Sequence, residues 1–217
     1  HLLDIVIHIM GMNKIKYAFR IIHIHNIPHL LQYGFVHRNS EHADPNYVPI
    51  GDTSVIASRD DRVIYKNYKI GDCIPFYFGP RSPMLYVIQH GYNNVVMYKA
   101  EEIVYVVIRL DDIVTHNINC VFTDGHALDL LTTTYTRDKL SMIDDIVSYK
   151  DVYATSWANN EDDRDLKRRK EAELLLLDEL PPQYIKGFVV YNKEAKQQLL
   201  DYNIDEAMIA IRQSYYF

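Results

Sequence analysis

A carboxylate at the end of a charged run is the first side chain whose position could support chemistry. Glu173 stands where a run that begins with four cations, residues 167–170, gives way to the apolar residues 174–177. A carboxylate at such a boundary can be partly desolvated and pointed into a cleft. The same pattern fits an amphipathic helix with a charged face, so both interpretations stay open.

Two arginines in a long polar stretch could bind phosphate. Residues 37–72 are typical of a loop, and they contain Arg59 and Arg62 around two aspartates. A guanidinium can hold a diphosphate through two parallel hydrogen bonds. Loops of this length are often functional, although simple solvation of these charges explains them equally well.

A histidine and a strand–turn–helix unit complete the candidate chemistry. His126 follows Gly125 at the end of a predicted strand, a frequent place for a site residue and also for an ordinary turn residue. Residues 74–91 predict a buried strand, a Gly-Pro turn and a helix capped by Ser82. Such a turn could hold a flat, anionic, phosphate-bearing ligand, or it could be only a packed core unit.

The elements that must position these residues include both β-strands and α-helices. Strands and helices do not alternate regularly, which favours an α+β fold. Strands are predicted over residues 19–24, 74–78, 95–98, 103–108, 119–122, 187–191 and 207–211. Helices are predicted over 27–33, 83–90 and 194–202, with shorter ones after 110 and within 138–149.

Composition narrows the class of protein. The chain has 217 residues, 48% of them hydrophobic, which predicts one globular domain over residues 12–217. Residues 1–11 are interpreted as an extension that is non-native or disordered. A net charge of −6 argues against a general nucleic-acid coat but leaves room for a local basic groove. The 18 tyrosines suit a polar pocket or an interface, or reflect AT-rich coding.

Metal, redox and membrane signals are weak. His23 and His25 are two residues apart and could grip a metal, but no third ligand is near, so a hydrogen-bonded histidine is the alternative. Cys73 and Cys120 are interpreted as core thiols of a reducing, cytoplasmic protein. No apolar run reaches the length of about 18–20 residues that a membrane span requires.

Four segments, in order, resemble motifs of the DarT family, bacterial toxins that ADP-ribosylate DNA. Residues 74–86 look like the family signature, and residues 23–34 resemble its N-terminal motif. Residues 121–126 resemble its Phe-Thr-Asp-x-His motif, and residues 171–175 its Ala-Glu-Phe-Leu motif. The resemblance extends over nearly the whole chain after the first dozen residues.

The resemblance implies a fold, an activity and partners. The fold would be α+β, an ADP-ribosyltransferase-like split mixed β-sheet core with surrounding helices. The activity would be transfer of ADP-ribose from NAD+ to a base in single-stranded DNA, as a toxin that arrests growth or defends against phage. A macrodomain antitoxin would remove the modification, the location would be cytoplasmic, and neither a metal nor a membrane would take part.

The resemblance also implies roles for individual residues. Glu173 would be the catalytic carboxylate, Arg59 the catalytic arginine with Arg62 as the second choice, and His126 would place the DNA base. The residues implied to bind NAD+ are Arg20, Ile22, His23, Asn26, Gly34, Arg59, Tyr77 and Tyr86. The residues implied to bind DNA are Arg81, Met84, Trp157, Lys167 and Arg168. Many members have a histidine and a threonine where this chain has Arg20 and Ile22. An arginine therefore replaces the histidine that contacts the nicotinamide-side ribose, and the threonine hydroxyl is lost.

Two other functions remain open at this point. One is an enzyme of the same fold that acts on RNA, protein or water. The other is a nucleotide- or DNA-binding module without catalysis, which the changes at Arg20 and Ile22 would favour and the retained Glu173 opposes.

Overall fold

An eight-stranded mixed sheet organises the part of the chain that the computed structural model describes, residues 12–217. The extension predicted over residues 1–11 lies outside the described residues. The strands are β1 (Tyr17–His23), β2 (Val63–Tyr65), β3 (Tyr68–Lys69), β4 (Ile74–Tyr77), β5 (Ile103–Arg109), β6 (Cys120–Thr123), β7 (Thr134–Thr136), β8 (Glu173–Leu176), β9 (Ile185–Val190) and β10 (Ile209–Ile211). Their order in the sheet is β10-β9-β5-β1-β4-β8-β6-β7, and β2 and β3 form a separate ribbon.

Short helices cover the sheet and connect its strands. They are α1 (Ile27–Tyr33), α2 (Thr53–Asp61), α3 (Pro83–His90), α4 (Leu110–Thr115), α5 (Ile143–Ile146), α6 (Tyr149–Val152), α7 (Leu166–Lys170) and α8 (Lys193–Asp201). The α+β prediction is confirmed. Among residues 12–217, no helix is both long and apolar enough to cross a bilayer.

The centre of the sheet brings distant segments into register. β4 lies between β1 and β8 and runs antiparallel to both. Tyr77 at the end of β4 pairs with Phe19 on one side and with Glu173 on the other. All four residues of β8 are buried, because helices and loops cover both faces of the sheet there. Glu173 therefore begins a strand that offers it almost no contact with water.

Apolar side chains on the two faces of the sheet form separate clusters. Ala18 and Ile22 of β1 belong to the larger cluster, with Phe76 and Leu174. Phe19, one residue away, belongs to the smaller cluster on the other face. Because successive strand residues point to opposite faces, β1 sends alternate side chains to different environments. Cys73 and Cys120 are both buried free thiols, as expected.

The strand–turn–helix unit around residues 74–91 forms as its sequence predicts. The hydroxyl oxygen of Ser82 accepts a hydrogen bond from the Leu85 N–H at 3.2 Å and caps α3. Pro83 takes the first helical position, where an N–H would be unpaired. Gly91 ends the helix with a left-handed φ of 64°. Gly34 ends α1 in a different conformation that also favours glycine, with a φ of 75° and a ψ of −156°.

Two predictions about local structure are wrong. Residues 95–98 do not form a strand: Val96 and Met97 are mostly exposed, and the Tyr98 N–H binds the carbonyl oxygen of Ile88. Apolar composition alone suggested a strand where no partner strand exists. The stretch 37–72 is not all loop, because it contains α2 and the β2–β3 ribbon.

Candidate active site

An ion pair between α2 and β8 forms the centre of the site. Arg59 Nη2 lies 2.8 Å from Glu173 Oε2, and Arg59 Nη1 lies 3.2 Å from Glu173 Oε1. The N–H of Ala127 donates a third hydrogen bond to Oε1 at 3.0 Å. The side chains of Arg59 and Glu173 are 12% and 1% exposed. The carboxylate is therefore fixed by three donors in a nearly dry environment.

This environment keeps Glu173 ionised. Burial alone raises the pKa of a carboxylic acid, because it disfavours the charged form. The charge and hydrogen bonds of Arg59, with smaller contributions from His126 and the Ala127 N–H, outweigh burial and hold the pKa of Glu173 below its usual range. The two parallel hydrogen bonds from Arg59 also fix the position and orientation of this carboxylate.

The helix that carries Arg59 starts at a well-defined cap. Asp52 Oδ1 accepts hydrogen bonds from the N–H groups of Ser54 and Val55 at 2.9 and 3.4 Å, and from the Ser54 hydroxyl at 2.6 Å. Such capping satisfies N–H groups that have no partner inside the helix. Arg62, just past α2, donates to the carbonyl oxygens of Leu128 and Asp129. The structure therefore places Arg59 at the carboxylate and Arg62 in a structural contact.

A tight turn after β6 holds His126 beside the ion pair. The Thr123 hydroxyl donates to the carbonyl oxygen of Gly125 at 2.7 Å and accepts from the Glu173 N–H at 3.2 Å. The His126 N–H donates to the carbonyl oxygen of Arg168 at 2.9 Å. Burial lowers the pKa of His126, although Glu173 opposes this, so its ring is neutral at pH 7.

A cavity of about 360 Å³ opens on one side of the ion pair. Arg59 lines it, together with residues of β1, α1 and α2 and parts of the segments 34–47 and 70–75. Five residues that the resemblance assigned to NAD+ line this cavity: Arg20, Ile22, Asn26, Gly34 and Arg59. Its volume is that of an ordinary small-molecule site.

Two of these residues have well-defined contacts in the cavity wall. Arg20 Nη1 donates to the carbonyl oxygen of Pro75 at 3.0 Å, and its guanidinium lies 5.8 Å from the centre of the Phe35 ring. The Asn26 amide binds both backbone groups of Val48, at 2.8 and 2.9 Å, and pins the following loop against α1. Asn26 therefore shapes the cavity through the backbone.

A second cavity, of about 440 Å³, lies beside His126. Met84, His126, Lys167 and Arg168, four residues implied for catalysis or DNA binding, line it. Ala127, which donates to Glu173, directly follows His126. The Arg59–Glu173 pair thus reaches the first cavity through Arg59 and adjoins the second through Ala127 and His126, while the buried Glu173 lines neither cavity.

Comparisons with known proteins agree with this geometry. A family model described as "ssDNA thymidine ADP-ribosyltransferase, DarT" matches residues 19–217. The chain belongs to the DarT family. A DNA ADP-ribosyl transferase of Escherichia coli O127:H6 is 32% identical over 183 residues, which are 83% of each chain. A DNA ADP-ribosyl transferase-DNA ADP-ribosyl glycohydrolase fusion protein of Thermosipho africanus is 28% identical over 187 residues, 86% of this chain and 45% of that protein.

Solved structures of the DarT family share the fold. The chain matches Thermus sp. 2.9 DarT in complex with ADP-ribosylated ssDNA at a TM-score of 0.80 and 22% identity, over 94% of this chain and 98% of that one. It matches Thermus sp. 2.9 DarT in complex with NAD+ at a TM-score of 0.75 and 22% identity, over 94% and 99% of the chains. The predicted ADP-ribosyltransferase-like sheet is confirmed.

Three residues that the DarT resemblance assigned to NAD+ do not line the first cavity: Tyr77 lies opposite Glu173 in the sheet, and His23 and Tyr86 lie elsewhere. His23 follows Ile22 on β1 and points to the opposite face of the sheet, where its ring contacts Tyr98 with 4.9 Å between ring centres. Tyr86 on α3 contacts Trp157 and Phe217, with ring centres 5.8 and 5.0 Å apart. Neither lines either cavity.

Two residues that the resemblance assigned to DNA lie elsewhere as well. Arg81 adopts a left-handed φ of 53°, and its guanidinium lies 4.1 Å from the centre of the Phe217 ring and donates to the carbonyl oxygen of Tyr216. Trp157 packs against the same Phe217 ring, with 5.3 Å between ring centres. The structure therefore places both side chains in an aromatic cluster at the C-terminal residues and outside the second cavity.

The four-cation run is largely structural. Arg168 pairs with Asp165 and Asp124, and Arg169 pairs with Asp151, Asp163 and Asp165. Lys170 is 2% exposed, and its Nζ donates to the carbonyl oxygens of Pro80 and Val152 at 2.7 and 2.6 Å. Among the described residues, Lys167 is the one member of the run whose side chain has neither an ion pair nor a hydrogen bond. Within this run, the Lys167 side chain therefore remains available for the local basic groove that the sequence allows.

Tyr77 lies next to the ion pair, at the register position opposite Glu173. Burial raises the pKa of Tyr77 most, and the nearby carboxylates of Glu171 and Glu173 raise it further, so the phenol stays protonated. Its phenol can therefore act as a hydrogen-bond donor near the carboxylate.

Sequence reasoning missed Glu171 and most of the apolar lining of the first cavity. Glu171 lines the second cavity beside Lys167. Its two-residue separation from Glu173 was the available signal. Leu30, Phe35 and Ile56 line the first cavity and give no chemical signal in the sequence. Among residues 12–217, no group of three or more histidine, cysteine, aspartate or glutamate side chains is placed to hold a metal ion.

Proposed function

We propose that this chain transfers ADP-ribose from NAD+ to the base of thymidine in single-stranded DNA. The observation that carries the proposal is the Arg59–Glu173 pair, which adjoins both cavities, in a chain of the DarT family. The family model names thymidine in single-stranded DNA as the substrate. Two similar Thermus structures hold NAD+ and ADP-ribosylated single-stranded DNA.

The chemistry of the pair suits this reaction. Cleavage of the bond between ribose and nicotinamide builds positive charge on the ribose. Glu173 is ionised, buried and held by three donors, so it stabilises that charge with little reorganisation. Arg59 and the Ala127 N–H hold the carboxylate in place, and Tyr77 lies at the register position opposite it.

In this proposal the first cavity accepts NAD+. Both terminal nitrogens of Arg59 face Glu173, and Arg38 pairs with Asp60 at 2.8 Å. Arg20 is then the arginine of this cavity that has no carboxylate partner among the described residues. It is placed to meet the phosphates or a ribose, while Ile22 supplies an apolar wall. This arrangement differs from the predicted diphosphate clamp by Arg59.

The second cavity accepts the DNA base in this proposal. His126 carries a neutral ring there, and Met84 offers a polarizable apolar surface for a flat base. Lys167 supplies one cation for a phosphate of the strand. Arg164 also lines this cavity, so two cations can contact the phosphates of a short stretch of single-stranded DNA although the net charge of the chain is −6.

The biological setting is part of the proposal. Membership in the DarT family supports a toxin that modifies cellular or phage DNA in the cytoplasm. The Thermosipho africanus relative joins a transferase to a DNA ADP-ribosyl glycohydrolase in one chain. We expect the partner of this chain to be a macrodomain antitoxin that removes the ADP-ribose.

The proposal is tested with NAD+ and four short single-stranded oligonucleotides that each lack one base. The three that contain thymine gain the mass of one ADP-ribose, and the one without thymine does not. A gain of one ADP-ribose on the thymine-free oligonucleotide would show that another base is the acceptor. The DNA assignment would be overturned if no oligonucleotide gained mass while NAD+ was hydrolysed or its ADP-ribose was transferred to RNA or protein.

A further inference from the structure

The carboxyl group of Glu171 lines the second cavity without a partner. Four acidic side chains line this cavity, and three of them are engaged. Asp52 caps α2, Asp129 accepts from the Leu131 N–H at 2.9 Å, and Asp165 pairs with Arg168 at 2.7 Å. Among the described residues, the Glu171 carboxyl has neither a hydrogen bond nor an ion pair. The Glu171 carboxyl is therefore free to accept a proton in the cavity that we propose for the DNA base.

The surroundings of Glu171 adjust its acidity. Burial raises its pKa to about 7, with Glu173 acting in the same direction and Lys167, Arg59 and Lys170 opposing. The other titratable or charged groups at this cavity and beside it are Tyr77, Asp52, His126, Asp129, Arg164, Asp165 and Arg168. A carboxyl whose pKa is near neutral can accept a proton and release it again in each turnover.

The acceptor needs such a group. In thymidine, ring nitrogen N1 is bonded to the deoxyribose, so N3 is the ring nitrogen that can take the ADP-ribose, and N3 carries a proton. Glu173 is a poor base for that proton, because Arg59 and the Ala127 N–H already occupy its oxygens and its pKa is low. The two carboxylates therefore have environments that suit different tasks.

We propose that Glu171 is the general base that removes the N3 proton of the acceptor thymine, an inference that rests on the proposed function. In this step a bond forms between N3 and C1 of the ribose, and the bond from that carbon to nicotinamide breaks. The electron pair of the broken bond leaves with nicotinamide and neutralises its ring. The N3 proton moves to the Glu171 carboxylate, which becomes a neutral carboxylic acid.

The test compares Glu171→Gln with wild type on an oligonucleotide that contains one thymine. Transfer by Glu171→Gln falls by on the order of 10²- to 10³-fold, while NAD+ affinity and slow NAD+ hydrolysis stay near wild type. Replacing thymine by 5-fluorouracil, whose N3 proton is more acidic, restores much of the lost rate. Glu161→Gln, which changes an exposed acid outside both cavities, transfers like wild type.

The pH profile of the transfer rate gives an independent measurement on the wild-type enzyme. Glu171 must be ionised to act, so the rate rises with pH through a midpoint of about 7. That rise is absent in Glu171→Gln. The wild-type profile decides the matter even if the variant folds poorly, because a flat rate from about pH 5 to 8 would overturn the assignment.

The failures of the two proposals are distinguishable. If wild type modifies no thymine, the proposed function fails. If wild type modifies thymine and Glu171→Gln does so at the same rate with the same pH profile, only the role of Glu171 fails. A loss of rate that 5-fluorouracil does not restore would also overturn that role.

Discussion

Arg59 and Glu173 are 114 residues apart in the chain, yet two nitrogens of one face two oxygens of the other at 2.8 and 3.2 Å. The pair joins the start of a buried strand to a short helix that packs against the turn at residues 70–72. Because Arg59 lines the first cavity and His126, next to Ala127, lines the second, the pair connects the proposed donor and acceptor sides. Both its geometry and its charge therefore have testable consequences.

The two-point geometry of the pair predicts that lysine cannot replace Arg59. A single ammonium cannot bridge both carboxylate oxygens, so Arg59→Lys frees one oxygen and lets Glu173 rotate. We expect the transfer rate to fall by on the order of 10²-fold. Arg62→Lys is the matched variant. It weakens contacts to two carbonyl oxygens, so it lowers the melting temperature and leaves NAD+ affinity near that of wild type. Equal losses of transfer in both would contradict the distinction between the two arginines.

Gly125 predicts a strong effect from a single added methyl group. A Cβ at Gly125 would lie 3.0 Å from the carbonyl oxygen of Arg168 and would collide with its guanidinium. That carbonyl also accepts the N–H of His126, so Gly125→Ala displaces the histidine. We expect loss of transfer together with a lower melting temperature. Gly51→Ala is the control, because its Cβ would meet only the flexible end of Ile56; an equal loss there would argue against the turn's role.

Lys170 predicts a dependence of stability on pH. Burial, with Arg81 nearby, lowers the pKa of Lys170 from 10.5 to about 7. The folded chain therefore binds fewer protons than the unfolded chain between these values, so the free energy of unfolding rises with pH across that window. One proton contributes at most about 1.4 kcal/mol for each pH unit.

Urea denaturation at several pH values between neutral and alkaline checks this prediction with Lys170→Met. The variant lacks the titrating group, so its free energy of unfolding rises less steeply with pH than that of wild type. Its absolute stability also changes, since the carbonyl oxygens of Pro80 and Val152 lose their donor. Parallel slopes for the two proteins would show that Lys170 keeps its ordinary pKa in the fold.

Lys167 predicts a defined change in the salt dependence of DNA binding. It is the member of the cation run that is available for a phosphate, so Lys167→Gln removes one contact. The slope of log affinity against log salt concentration should fall by about 0.7 for single-stranded DNA. Lys186→Gln is the control for charge, because Lys186 pairs with Asp112 at 3.2 Å, away from both cavities. An unchanged slope in Lys167→Gln would remove this lysine from the DNA site.

The sequence predicts the parts of the fold where local signals and tertiary structure agree. The cap at Ser82 and the left-handed Gly91 mark α3 without any knowledge of its neighbours. The helix α2 has no such signal beyond Asp52, since none of its residues is buried and it has no apolar stripe. The prediction consequently left Arg59 in a loop. Residues 95–98 show the opposite failure, because their apolar composition suggests a strand that has no partner.

The candidate site also contains residues that local sequence signals predict and residues whose roles depend on tertiary structure. Glu173 could be found because a change from charged to apolar sequence places it at the start of a buried strand. The direction in which a side chain points could not be predicted: on β1, Ile22 points towards the first cavity and His23 points away from it. The backbone conformation at Arg81 and the aspartates around Arg169 are also set by distant residues. Roles for these residues therefore require the three-dimensional arrangement.

The most direct test of the account is the mass of a single-thymine oligonucleotide after incubation with NAD+ and either wild type or Glu173→Gln. The glutamine keeps the shape of the side chain and removes its charge. Wild type is predicted to add one ADP-ribose to the thymine, and Glu173→Gln, folded and able to bind NAD+, is predicted to be slower by at least about 10²-fold. Modification at equal rates by both proteins would contradict the central role of the Glu173 carboxylate.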